Sequence, residues 1–231
     1  MSHPSGPSQS EVFRYGGYGT VLLVALLLYV LLHPLVLGGT LARIAGGIIV
    51  VAILITGTMA ASRSRHLRVI GGLLAATTFC FQVAWITTGD RPFEAAMMAA
   101  FAIFCFYTAG VILRHVLSFG PLYADRVHAA LSVYILLAFA WAGAYAMIEI
   151  VSPGAFAIPR AAGAAPDEGA PLLADMMHLS IATLTSTGFG DITPVAPFAR
   201  SFSQLEQLTG VFYIAVLISR LISLYPMEKS E

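Results

Sequence analysis

Six stretches of the chain stay apolar for about the length a helix needs to cross a bilayer. The hydrocarbon core is about 30 Å thick, which takes about 20 helical residues. The stretches are residues 20–37, 41–61, 67–88, 93–119, 127–151 and 198–225. Such a chain has few ways to fold in water. Only 10% of its residues are charged and 58% are hydrophobic, whereas a soluble domain carries about 25% charged residues. That leaves too little polar surface to coat a soluble globule. The expected fold class is therefore an all-α membrane protein that crosses the bilayer repeatedly. Twelve basic residues balance twelve acidic ones, so there is no basic face to hold nucleic acid. Cys80 and Cys105 both lie inside apolar runs, a pattern of packed thiols rather than a disulfide or metal framework.

One segment breaks the rhythm. Residues 152–171 are rich in Ala, Gly and Pro and read as an exposed loop. Residues 171–185 are apolar but span only about 20 Å as a helix, too short to cross. They read as a re-entrant helix. With the N-terminus inside, Arg14, Arg63, Arg65, Arg68, Arg114, Arg126, Arg220 and Lys229 fall on the cytoplasmic side, against Arg43, Arg91, Arg160 and Arg200 outside. The basic residues thus favour six spans with both termini in the cytoplasm. A cleaved signal peptide is a poor reading of the first run, which is long and has Arg14 as its only preceding cation. The tails, Ser/Pro/Gly-rich residues 1–10 and residues 226–231, hold no further domain on this reading.

After the half-length helix comes Thr183-Leu184-Thr185-Ser186-Thr187-Gly188-Phe189-Gly190-Asp191-Ile192-Thr193-Pro194. Gly-x-Gly ends a helix and admits backbone angles other residues resist. Irregular backbone at membrane depth is tolerated only where it is buried or lines a watery path. An extended Gly-rich strand there can turn carbonyl oxygens inward to replace the water shell of a dehydrated cation. One chain supplies one wall, so several copies must surround the axis. A second Gly-Tyr-Gly, within residues 15–20, precedes the first span with no half-helix before it and reads as a flexible lead-in.

Ser186-Thr187-Gly188-Phe189-Gly190-Asp191, set between a half-helix and a last span, resembles the pore module of tetrameric potassium channels. The family pattern is Thr-x-Gly-(Tyr/Phe)-Gly-Asp. Ser186 replaces the usual Thr but keeps the hydroxyl. The resemblance implies six transmembrane helices plus a re-entrant pore helix and selectivity-filter loop, assembled as a homotetramer in a bacterial-type inner membrane. It divides the chain into a cytoplasmic tail (1–18), a four-helix transmembrane domain (19–120), a pore domain (121–225) and a second cytoplasmic tail (226–231). It implies K+ as permeant ion, membrane lipid and further copies of the chain as partners, and no cofactor, small-molecule substrate or enzymatic activity.

The same resemblance assigns roles. The carbonyls of Ser186, Thr187, Gly188 and Phe189 coordinate K+, the Ser186 hydroxyl adds the innermost site, and Thr185 sits at the cavity end. Gly190 permits the exit turn. Asp191 stands at the outer mouth, where four carboxylates concentrate cations. Some members brace that Asp with a Glu nine residues earlier; here the position is Ala182. His178 is the candidate replacement, the alternative being a hydrogen bond within the helix packing. Asp175 near the start of the half-helix complements its positive end, and the negative end near Thr185 favours a cation. Glu206, inside the last span, must face protein or water; it packs behind the filter, paired with Arg200 or a polar group of the pore helix, the alternative being a place on the cation path. Gly210 is a gating hinge or a close-packing residue. Val216 and Ser219 are lower-cavity positions, and Arg220 snorkels.

Voltage-gated members repeat Arg or Lys every third residue in the fourth span. Here that span holds only Arg114, with His115, at its cytoplasmic end, so steep voltage dependence is not expected. The Arg63, Arg65, Arg68 cluster sets topology, or alternatively meets anionic lipid or senses voltage. Glu149 is expected as an interfacial anchor. Three functions stay open: a potassium-selective channel, a less selective cation channel of the same fold, and a non-conducting scaffold or accessory subunit. A transporter is disfavoured, since no second discontinuous helix matches the first.

Overall fold

The computed structural model describes residues 18–32, 50–59, 65–117, 124–159 and 172–224. The helices are α1 (Tyr18–Leu32), α2 (Val50–Met59), α3 (Arg65–Thr88), α4 (Arg91–Leu117), α5 (Ala124–Val151), α6 (Leu172–Leu184) and α7 (Pro197–Leu224). Two short strands, β1 (Phe156–Ala157) and β2 (Thr193–Pro194), complete the described elements. α3, α4, α5 and α7 are long and apolar enough to cross a membrane. The chain is thus a mostly helical, multi-pass membrane protein. The remainder of the first two expected spans, residues 33–37, 41–49 and 60–61, lies outside the described residues, as do residues 1–17 and 225–231 and, with them, Arg14, Arg43, Arg63, Arg160 and Lys229. The expected lead-in at residues 15–20 is helical from Tyr18 onward.

Local chemistry sets the helix ends. Between α3 and α4 the chain reverses in two residues. Gly89 takes a left-handed φ of 73° and its N–H closes on the Trp85 carbonyl at 2.8 Å, the usual glycine stop. Pro92 then sits in the first turn of α4, where its missing N–H costs nothing.

α5 is the hub: α1, α4, α6 and α7 all pack against it, while α3 packs on α4. The contacts are aromatic and tight. The Phe139 ring takes Tyr29 of α1 edge-on at 4.8 Å and Phe101 of α4 at 6.2 Å. Gly143 lets α4 and α5 approach, since a Cβ there would lie 3.2 Å from the Met98 carbonyl oxygen and 3.3 Å from Ala102 Cβ. Small residues at such crossings are how helices associate where water supplies no hydrophobic drive. Of the spanning window of α5, 72% is buried, against 17% for α7. The last helix therefore presents most of its apolar surface outward.

The structure also folds part of the expected 152–171 loop. Ala155 and Phe156 are buried, and β1 pairs antiparallel with β2 (Phe156 opposite Pro194, Ala157 opposite Thr193). Glu149 is correspondingly not an interfacial anchor. It is buried and accepts the Gly154 N–H at 2.8 Å and the Phe156 N–H at 3.0 Å, which turns the chain at the end of α5.

Gly143→Val should force α4 from α5 and destabilise the protein by about 1–3 kcal/mol, seen as a lower Tm in detergent; an unchanged Tm would mean that the crossing is not tightly packed.

Candidate functional site

α6 stops after 13 residues, so its last carbonyls are left without helical partners. Each finds a donor. The Thr187 N–H closes on the Ala182 carbonyl at 2.8 Å and the Ser186 N–H on Thr183 at 2.9 Å. This pair of bonds is the Schellman motif, whose penultimate residue takes left-handed φ. Glycine usually fills that place; here it is Ser186, at φ 56°. The Gly188 N–H adds a 3.1 Å bond to the same Ala182 carbonyl. The Ile181 carbonyl accepts the Thr185 N–H at 3.0 Å and the Thr185 hydroxyl at 2.7 Å. The Leu184 carbonyl accepts the Tyr134 hydroxyl of α5 at 3.0 Å.

Beyond the cap the backbone alternates. Ser186, Gly188 and Gly190 have φ of 56°, 57° and 78°, while Thr187 and Phe189 between them keep negative φ. The Thr185 and Thr187 hydroxyls share a 2.8 Å hydrogen bond. The expected loop residues, 185–191, thus form one short irregular segment that starts in the end of α6. Its φ pattern is open to glycine at two positions and is met by serine at the third, where an L-residue costs about 1 kcal/mol.

At its outer end, the His178 Nε2 of α6 donates to Asp191 Oδ2 at 2.9 Å, and the imidazole stacks on the Phe189 ring at 5.4 Å and 12°. Desolvation raises the Asp191 carboxyl, but the Ile192 N–H and the nearby His178 outweigh it and hold the carboxyl below its usual range. Arg200 Nε donates to the Pro194 carbonyl at 3.2 Å. Arg200 is therefore not the partner of Glu206.

Glu206 is fully buried. Its Oε1 lies 2.5 Å from Ser180 Oγ of α6, and its Oε2 accepts the Tyr145 hydroxyl of α5 at 2.5 Å. Ser180 Oγ also reaches the Ala138 carbonyl of α5 at 2.8 Å. Of the two partners open from the sequence, the polar group of the half-helix is the one found. Ser180, Tyr145 and Tyr134 are absent from the sequence-based site. The signal for Ser180 was present: a polar side chain in an apolar half-helix needs a reason.

Gly210 of α7 faces α6. A Cβ there would overlap the Leu184 carbonyl oxygen. Nearby, the Tyr213 hydroxyl donates to the Ala130 carbonyl at 2.6 Å and its ring meets Tyr134 at 5.4 Å. Two cavities border α7. One, of about 380 Å³, lies against the loop and is lined by Ser186, Gly188, Arg200, Ser203, Gln204 and Gln207 among others. The other, of about 490 Å³, is lined by Ala215, Val216, Ser219 and Arg220 with Leu117 of α4. Val216 and Ser219 line this open groove between α7 and Leu117 of α4.

This arrangement defines a class: a multi-pass helical membrane protein with a half-length helix and glycine-rich loop between two spanning helices. Residues 133–225 match the protein family described as Ion channel. A stretch of 59 residues is 37% identical to "Two pore potassium channel c" of Oryza sativa subsp. japonica, covering 26% of this chain and 13% of that protein. No solved structure matches the chain. Residues 133–225 thus resemble an ion-channel domain, and the chain spans only a small part of the curated relative that it matches.

Two outcomes follow. Gly210→Ala should push α7 off the Leu184 carbonyl and lower stability by about 1–3 kcal/mol, read as a fall in Tm. The bonds that lower the Asp191 carboxyl contribute above about pH 3.9, its ordinary value, and are lost as pH falls through the lowered value. His178→Ala should therefore move the Asp191 titration upward, as followed by infrared difference spectra of its carboxylate band; an unmoved titration would mean that the His178 contact does not hold the carboxyl down.

Proposed function

We propose that the protein is a potassium-selective channel of the cell membrane, working as a homotetramer in which four copies of residues 185–190 surround one axis. The observation that carries this reading is the alternation of φ at Ser186, Gly188 and Gly190 beyond a fully capped half-helix. A regular strand points successive carbonyls to opposite sides. Alternating handedness turns them toward one side, as a ladder of ligands for a dehydrated cation requires. On this reading Ser186, Thr187, Gly188 and Phe189 supply the carbonyls, and Thr185 stands at the cavity end. Asp191 is the outer mouth. His178 holds Asp191, and Glu206 holds the half-helix to α7.

The outward apolar surface of α7 supports assembly. Leu205, Leu208, Val211 and Phe212 are half exposed or more, as is Phe189 on the loop. Facing copies of the chain would cover them. Gly210 combines both roles open from the sequence: α7 sits on the Leu184 carbonyl there, and a bend at that point would lift it off. The chain on this view has six spans, with both termini in the cytoplasm, and needs no cofactor.

The test is ion uptake by liposomes holding the purified full-length protein, driven by a potassium gradient and then by a sodium gradient. Potassium uptake that exceeds sodium uptake, is blocked by barium and is lost on Gly188→Ala or Gly190→Ala is the expected result. Equal uptake of both ions would replace potassium selectivity with general cation conduction. No uptake of either, from protein that is folded and tetrameric, would overturn the reading.

A further inference from the structure

The contacts around Glu206 can be counted in protons. Three close oxygen pairs meet there: Ser180 with the Ala138 carbonyl at 2.8 Å, Ser180 with Glu206 Oε1 at 2.5 Å, and Tyr145 with Glu206 Oε2 at 2.5 Å. A hydrogen bond needs one proton each. Tyr145 and Ser180 bring one each, and a backbone carbonyl only accepts. The one Ser180 proton cannot fully serve both the Ala138 carbonyl and Glu206 Oε1. All three contacts are full hydrogen bonds only if the carboxyl supplies a third proton, donated to Ser180 Oγ. With an ionised Glu206, one of the two Ser180 contacts would set lone pairs against lone pairs.

The surroundings agree. Glu206 is fully buried, and among the described residues no cation is bonded to it. Arg200 is turned to the Pro194 carbonyl and His178 to Asp191. On α5, Glu149 is taken up by the Gly154 and Phe156 amides, and His128 meets Thr20. On α6, Asp175 lies in the first turn, away from Ser180. A bare carboxylate in this setting would be a buried charge with only neutral hydroxyls for company, which is costly.

We propose that Glu206 is a neutral acid whose O–H is donated to Ser180, so that a proton latches α7 to the half-helix while Tyr145 ties the same carboxyl to α5. Glu206 is a positioning residue. It joins three helices in mid-membrane through hydrogen bonds and places no charge behind the loop. Its bearing on conduction rests on the channel reading above; its protonation does not.

The test compares infrared spectra of the full-length protein and Glu206→Gln in liposomes. The wild type should show the carbonyl stretch of a protonated acid, shifted in D₂O and missing from the variant. Loss of carboxylate bands alone would overturn the proposal and leave a shared Ser180 hydroxyl facing an ionised group. The amide of Glu206→Gln keeps a donor for Ser180 and an acceptor for Tyr145, so potassium uptake should stay within about twofold of wild type. Glu206→Ala should lose at least about fivefold. Equal loss in both variants would overturn the latch. Should Glu206→Gln fail to assemble, Ser180→Ala serves: it keeps the acid but removes its acceptor, and the acid band must move to higher frequency. A band that stays in place overturns the assignment. The spectra need no ion flux, so a non-conducting protein that shows the acid band would retire the channel reading while supporting the protonated Glu206.

Discussion

A helix that stops after half the length of a span leaves its final carbonyl groups without helical partners, and each one left buried and unmet costs several kcal/mol. Much of the C-terminal half of this chain answers that constraint. The carbonyls of Ile181, Ala182 and Thr183 are met by the loop that follows them. The Leu184 carbonyl is met from another helix, by Tyr134, and covered by the bare face of Gly210. The loop is therefore not hung from the helix end but folded back into it. Its position is set as firmly as the position of α6.

α6 is held on its flank by groups that carry hydrogen bonds between helices without an ion pair. Ser180, Tyr145 and Glu206 come from three helices and meet at one point. The aromatic contacts of Tyr29, Phe101 and Phe139 then anchor α5 against the preceding helices. Order passes from the outer bundle to α5, from α5 to the half-helix, and from the half-helix to residues 185–190. This is a scaffold in which the functional segment is irregular but its supports are not.

The sequence made the local features legible. From α3 onward, apolar length places the helices to within a few residues: α6 is expected at 171–185 and found at Leu172–Leu184, and α7 is expected at 198–225 and found at Pro197–Leu224. The loop was legible because glycine spacing is a local property. What escaped was non-local or unusual. Tyr145 and Glu206 are 61 positions apart, and Tyr134 and Leu184 are 50 apart; no periodicity within one helix announces such a meeting. Glu149 looked like an interfacial carboxylate because the turn that it caps is made of small residues with no strand signature. Ser186 in a left-handed slot could not be foreseen, since glycine is the residue that advertises that geometry. Gly210 was recognised as special, but the carbonyl that occupies its missing side chain comes from another helix.

The two-residue pairing of β1 with β2 has a consequence for how this chain can vary. Val195 and Ala196 also donate to the Ala155 carbonyl, at 2.8 and 3.1 Å. The segment leaving the loop is thereby stitched to the segment leaving α5. Residues 160–171 run between β1 and α6, and both of those anchors are fixed by their own contacts. The stitch relieves the connection of any duty to set the height of the loop. A change in that connecting sequence then leaves the bonds that fix the exit of the loop untouched, since they belong to residues 155–157 and 193–196.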